Sequence, residues 1–289
     1  MKELFRVLKQ GVYASMQDKG RYGFRKYGMP VAGVMDSYAY RIGNDIFNHS
    51  IDVAALEVFL GGLSLEVLCD HSIVITGADL HVDLDGVDVP LWKSINLSKG
   101  QILNLKKPKE GSIAYIIPRG GFICEEVMGS KSAYPKGRIG SVLKKGDILT
   151  VANIEVTKQH RGLMFSEIPR YENEIVLRLW ESPHLNLFKE ESVNTFFNGQ
   201  YSYRGGDRMG YYLSGPELQF NNGSDILSEA TQFGTVQVPS NGQPIILMAD
   251  AQTIGGYATI GKVCEEDLWK IAQLRNGGKI RFTKHIKTH

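Results

Sequence analysis

Short apolar or alternating runs recur along this chain. Leu4–Leu8, Leu63–Val67, Ser72–Thr76, Ile102–Leu105, Ile113–Ile117, Ile148–Val151, Ile175–Leu179, Pro244–Met248 and Lys279–Phe282 are the clearest, and Gly, Asn, Asp or Pro flanks most of them. Runs of this length, bounded by residues that favour turns, predict β-strands. Helical spacing is confined to two places. After Asp36, a suitable N-cap, Ala39, Ile42, Ile46 and Phe47 recur near a helical period. Later, Glu265-Glu266-Asp267 places acidic groups where a helix N-terminus favours them. Leu268, Ile271, Ala272 and Leu274 follow as an apolar stripe, and Asn276-Gly277-Gly278 supplies a stop. The pattern predicts a mainly β chain with two or three helices.

Two short patterns repeat. Gly-x-Ile-x-x-apolar occurs at Gly100–Leu105 and Gly146–Val151, and again from Gly278 with its apolar position shifted by one. It reads as a turn that feeds a strand, with the glycine supplying a positive φ. Arg-x-Gly-aromatic-x-x-x-Gly occurs at Arg21–Gly28 and Arg208–Gly215. Two diverged β units of similar construction would produce such a pair, and so would chance in a glycine-rich chain. A polar stretch at Lys158–Gly162 and the strand-breaking Pro169 mark the expected boundary, giving domains of 1–165 and 166–289.

Composition narrows the function classes. The chain has 289 residues, Lys+Arg 33 against Asp+Glu 31, and a formal net charge of +2, without the basic excess of a nucleic-acid binder. The three cysteines, Cys69, Cys124 and Cys264, lie far apart with no C-x-x-C pair, which suits a reduced cytoplasmic protein. Charged residues interrupt the first apolar positions, so no signal peptide is expected, and no apolar run is long enough to span a membrane. The histidines form no H-x-x-x-H pair, and nothing proposes a metal. P-loop, G-x-S-x-G and H-E-x-x-H motifs are absent, as is a Met-Lys-Met/Leu biotin-acceptor site. Any ATP or carried group therefore comes from another component.

Three clusters carry candidate chemistry. Ser15–Gly23 combines Gln17, Asp18 and Arg21 with two glycines, and an Arg held by an Asp presents its fork to a carboxylate or carbonyl. Arg204–Tyr212 repeats those ingredients around Asp207 and Arg208. Met248–Tyr257 follows a strand with Asp250, Gln252, Thr253, Gly255, Gly256 and Tyr257, a density of donors and acceptors suited to a planar amide or ureido group. Each cluster also has a plain reading, as a loop whose Asp and Arg pair with each other, an Arg-rich turn, and a strand end with an Asx turn.

Taken in order, these clusters resemble the allophanate hydrolase subunit 2, or biotin-dependent carboxyltransferase, family. The family includes the Kip-type antagonist and the C-type component of 5-oxoprolinase. The resemblance runs from Gln17–Gly23 through Gly33-x-x-Asp36, Glu57, Thr76-Gly77-Ala78 and Gly129-Ser130-Lys131-Ser132 to Asp207–Gly210, Gly234-x-x-Gln237-Val238-Pro239 and Asp250–Tyr257. It implies two cyclophilin-like β-barrel halves with a groove between them. It implies a component of an ATP-dependent complex that opens the lactam 5-oxoproline to glutamate. The partners would be a subunit-1-type (Kip inhibitor-like) companion and a separate lactam hydrolase subunit, with no nucleic acid, membrane, covalent cofactor or metal. On this reading Arg208 and Arg21 bind the substrate carboxylate or a phosphorylated intermediate. Asp18 and Asp207 orient them, one serving as a general base. Gln17, Gln252, Thr253, Gly255 and Gly256 hold the amide, and Tyr257 walls the pocket.

Two other readings share the resemblance. One is carboxyl transfer from carboxybiotin on a separate carrier to urea or a related amide. The other is a non-catalytic antagonist of a sensor-kinase inhibitor. The chain departs from the family pattern at Ala133, where Thr is expected, at Ser141 for Arg, at Ala258 for Pro, at Ser182 for Gly and at Lys279 for Asp. Ser141 is the departure that removes a charge.

Overall fold

The computed structural model describes residues 1–49 and 53–285. The chain divides into two compact units, residues 1–21 with 32–171 and residues 22–31 with 172–289. Among the described residues the fold is mainly β with three α-helices and several single 3-10 turns.

In the N-terminal unit, one sheet runs in the order Phe122–Ile123, Ile148–Val151, Lys2–Gln10, Leu63–Val67, Ile102–Leu105, Val82–Leu84 and Val87–Asp88. A second runs Tyr13–Gln17, Ala55–Phe59, Glu110–Pro118, His71–Asp79 and Ser94–Leu97. Neighbouring strands pair antiparallel throughout. One apolar core draws on both sheets, with Phe5, Val7 and Leu65 from the first and Leu56, Ile75 and Ile116 from the second. The expected helix spans Ser37–Ile46. Asp36 caps it by accepting from the Ala39 amide at 2.8 Å, and Ala39, Tyr40, Gly43, Asn44 and Ile46 form its buried face. Gly43 lets the helix settle onto the strand Glu110–Pro118, since a Cβ there would lie 2.4 Å from Ile117 Cδ1.

The C-terminal unit closes a seven-stranded barrel: Glu174–Glu181, Thr259–Val263, Thr235–Gln237, Ile245–Leu247, Gly210–Ser214, Tyr201–Asp207 and Lys279–Lys284, which returns to the first strand. That closing pair is parallel and the others are antiparallel. Alternation decides what faces inward: Leu177 and Leu179 are buried, whereas Val176 and Trp180 are exposed. The helix Glu190–Asn198 contributes Phe196, which stacks on Phe282 at 4.5 Å between centroids. Its periodicity is faint, because only Ser192 and Phe196 are buried. A two-stranded ribbon, Asp225–Ala230 with Ile254–Tyr257, completes the unit.

The copies of each sequence repeat differ in detail. Gly100 and Gly146 adopt φ of 92° and 95° before their strands, but in the third copy the positive φ, 81°, falls on Gly277. The Arg-x-Gly-aromatic copies fold differently. The first leads into a 3-10 turn at Arg25–Tyr27, and the second enters the strand Gly210–Ser214. In the second copy, Gly210 pairs with Leu247 in the barrel ladder, which keeps that backbone extended.

Candidate functional site

In the N-terminal unit, the strand Tyr13–Gln17 delivers Gln17, Asp18 and Arg21 beneath the loop Val127–Ala133. Gln17 is fully buried, and its Nε2 donates to Ser15 Oγ at 3.0 Å and to the Ala133 carbonyl at 3.2 Å. Asp18 accepts from Ser130 Oγ at 2.6 Å, from the Lys131 amide at 2.7 Å, from the Gly20 amide at 2.8 Å and from Ser132 Oγ. Burial alone would raise its pKa, but these hydroxyls and amides outweigh that and hold the carboxyl below its usual range. Arg21 is also fully buried, and it donates from Nε to the Val127 carbonyl and from Nη2 to the Ser132 carbonyl, both at 2.9 Å. Asp18 and Arg21 thus brace one loop, Asp18 through its donors and Arg21 through its carbonyls. Beside this loop lies a cavity of about 350 Å³ lined in part by Cys124, Lys131, Ala133 and Ser141. Burial pushes the Cys124 thiol up to about 11, only partly offset by Lys131, so it is not a ready nucleophile.

In the C-terminal unit, Arg208 sits in the tight turn between the strands Tyr201–Asp207 and Gly210–Ser214, where Asp207 pairs with Gly210. Asp207 is exposed and accepts from the Met209 amide at 2.7 Å. Asp250 clamps Arg208, with Nη2 to Oδ1 at 2.7 Å and Nε to Oδ2 at 3.1 Å. The two side chains are only 10% and 7% exposed. A backbone bond from the Asp250 amide to the Arg208 carbonyl, 2.7 Å, locks the turn to the end of the strand Ile245–Leu247. Planar guanidinium on planar carboxylate is the strongest orienting contact available to an arginine.

The Asp250–Tyr257 segment continues from that clamp. Gln252 Nε2 donates to Gln237 Oε1 at 3.2 Å, and Arg25 Nη2 donates to the Thr253 carbonyl at 3.3 Å. Thr253 is buried, Gly255 and Gly256 are half-buried, and Tyr257 is exposed. A Cβ on Gly255 would lie 2.3 Å from Gln237 Nε2, so a side chain there would need that carboxamide to shift. Gly255 and Tyr257 line a cavity of about 210 Å³ together with Gln237, His184, Glu229 and Thr259. Sequence reading missed Asp250 as the partner of Arg208, the bracing serines 130 and 132, Arg25 and His184. The motifs Gly129–Ser132 and Gly234-x-x-Gln237 were the available signals for the serines and for Gln237. Among the described residues no group of three or more His, Cys, Asp or Glu could hold a metal ion, and no helix is long and apolar enough to cross a membrane.

Comparison with known proteins gives a consistent result. A family described as carboxyltransferase domain, subdomain A and B, matches residues 27–284. The chain is 37% identical to the C-type component of 5-oxoprolinase from Haemophilus influenzae, covering 93% of this chain and 87% of that protein. It is 34% identical to the corresponding 5-oxoprolinase component of Escherichia coli, covering 97% and 91%. Among solved structures it superposes on the Kluyveromyces lactis urea amidolyase with a TM-score of 0.91 at 27% identity, covering 98% of this chain and 19% of the larger one.

Proposed function

This chain belongs to the carboxyltransferase domain family, subdomains A and B, and on that premise we propose that it is the C-type component of an ATP-dependent 5-oxoprolinase. The complex would open the lactam ring of 5-oxoproline to glutamate. The observation that carries this reading is near-full-length similarity in both directions: 87% and 91% of the two 5-oxoprolinase components are covered. ATP turnover and ring hydrolysis are shared with a subunit-1-type companion and a separate hydrolase subunit in the cytoplasm. Within this chain, Arg208 supplies the charge that meets the substrate carboxylate or a phosphorylated intermediate, held in place by Asp250. Gln252, Thr253 and the Gly255–Gly256 backbone hold the amide, with Tyr257 at the edge and Asp207 fixing the Arg208 turn. Asp18 and Arg21 shape the Val127–Ala133 loop, with Gln17 below it. The test is ATP-dependent glutamate release by the chain mixed with its partners. Arg208→Ala should abolish it, and an unchanged rate would remove Arg208 from the site.

Structural similarity to a urea amidolyase supports a second reading, carboxyl transfer from carboxybiotin. The carboxamides of Gln237 and Gln252 with the Gly255–Gly256 backbone are the kinds of donor and acceptor that a ureido ring takes. Calorimetric binding of free biotin that Gln252→Ala removes would favour it, and no heat at millimolar biotin would count against it.

A further inference from the structure

The cavity beside Gly255 and Tyr257 contains a hydrogen-bond chain that none of the roles above uses. The His184 amide donates to Ser182 Oγ at 3.1 Å. Ser182 Oγ lies 2.6 Å from Thr259 Oγ1, which lies 3.0 Å from His184 Nδ1. The Thr259 backbone N–H also points at Nδ1, at 3.3 Å. On the far side of the ring, His184 Nε2 faces Glu229 Oε2 at 3.3 Å.

The backbone contact sets the tautomer of the ring. A backbone N–H only donates, so Nδ1 is the acceptor and the neutral ring carries its proton on Nε2. The Thr259 hydroxyl, 3.0 Å away, is placed to share that acceptor. Ser182 Oγ is placed to donate to Thr259 in turn, and Glu229 Oε2 lies 3.3 Å from Nε2. Ser182, His184, Glu229 and Thr259 all line the same cavity, and the His184 side chain is 14% exposed. A hydroxyl whose proton already points at a basic nitrogen, backed by a carboxylate on the other nitrogen, is the arrangement general-base catalysis requires.

We propose that Thr259 and His184 form a proton-accepting relay for a small amide or lactam bound in this cavity. The proposal rests on the reading of the chain as part of an amide- or lactam-acting complex and adds a proton acceptor in this cavity. In the step, the ligand N–H passes its proton to Thr259 Oγ1 as the Thr259 hydroxyl proton passes to His184 Nδ1. The electron pair left on the ligand nitrogen delocalises into its carbonyl, whose oxygen becomes the stronger nucleophile. His184 becomes an imidazolium that pairs with the Glu229 carboxylate, 3.3 Å from Nε2. One proton moves in net terms, and no covalent bond to the protein forms. The other titratable groups lining the cavity are Glu181 from the strand Glu174–Glu181, Tyr257 from the ribbon and Lys262 from the strand Thr259–Val263. Lys262 donates to Gln232 at 2.6 Å.

The test uses the chain with its partner subunits and follows glutamate release against pH. His184→Asn keeps an oxygen that accepts from Thr259 but removes the base. It should lower kcat about 100-fold, change KM by less than about threefold and erase the acid limb of the pH profile. Thr259→Val should lower kcat similarly, and Thr259→Ser should restore most of it. A His184→Asn enzyme within about threefold of the active wild type, with its acid limb intact, would overturn the relay. If the wild-type set releases no glutamate, the functional reading fails separately. The relay is then decided on the isolated chain by nitrogen-15 NMR of His184. Its Nε2–H tautomer should be visible, and both ring nitrogens should shift on titration with 5-oxoproline. An Nδ1–H tautomer, or no shift, would overturn the proposal.

Discussion

Removing Asp250 should cost the fold more than any surface charge and reveal what holds Arg208 in place. The two side chains share two charge-assisted hydrogen bonds, 2.7 Å and 3.1 Å long, and are 10% and 7% exposed. Asp250→Ala takes this carboxylate from a guanidinium that has little access to water. Removing one member of a buried, hydrogen-bonded charge pair costs about 3–5 kcal/mol. For a protein of this size that corresponds to roughly 6–20 °C in melting temperature. The assay is urea unfolding followed by tryptophan fluorescence, since Trp180 and Trp269 both lie in the C-terminal unit. The double variant Arg208→Met/Asp250→Leu removes both charges and should regain most of the loss, because replacing a buried pair by apolar side chains is often close to neutral. Mixed with its partner subunits it should still release no glutamate if Arg208 has the proposed role, which separates stability from function. The reasoning is refuted if Asp250→Ala costs less than about 1 kcal/mol, or if the double variant is as unstable as the two single variants added together.

Asp267 bonds Arg178 at 2.8 Å and Lys270 at 2.6 Å. Burial would raise its carboxyl, but those bonds outweigh that and bring it down to about 2 from 3.8. A depressed carboxylate stabilises the fold above its unfolded pKa, so this contribution should be complete above about pH 4 and fade toward pH 2. Melting curves of Asp267→Asn should show a loss at neutral pH that shrinks across that window, and a constant difference would contradict it. Gly43→Ala would place a methyl 2.4 Å from Ile117 Cδ1 and should destabilise the N-terminal unit by about 1–3 kcal/mol, with Ile117→Val recovering part of it. Phe196→Ala deletes a fully buried ring stacked on Phe282 and should cost about 3–5 kcal/mol, measured by chemical denaturation. Equal stability of either variant and the wild type would show that these contacts are slack.

Much of the strand content was legible without coordinates. Leu63–Val67, Ile102–Leu105 and Ile148–Val151 run between the same residues in the sequence pattern and in the fold. Asp36 caps its helix as its position before an apolar period predicts. Signals of this kind are local, because side-chain period and turn chemistry act within a few residues. The helix Glu190–Asn198 and the strands Tyr201–Asp207 and Gly210–Ser214 escaped notice. Their polar outer faces and glycines dilute the period, and packing against the barrel core makes up the difference.

The chemistry divides along the same line. Sequence alone identified the residue types and the three clusters, because Arg, Asp, Gln and Gly gathered at strand ends are visible as composition. Which groups meet was decided by the tertiary structure. Arg208 bonds Asp250, 42 positions away, Asp18 bonds Ser130 across 112, and His184 bonds Thr259 across 75. Arg21 is closed off from solvent although its motif looks like that of Arg208. A charged side chain takes its role from burial and from the donors and acceptors around it, and those arrive only when distant strands come into register.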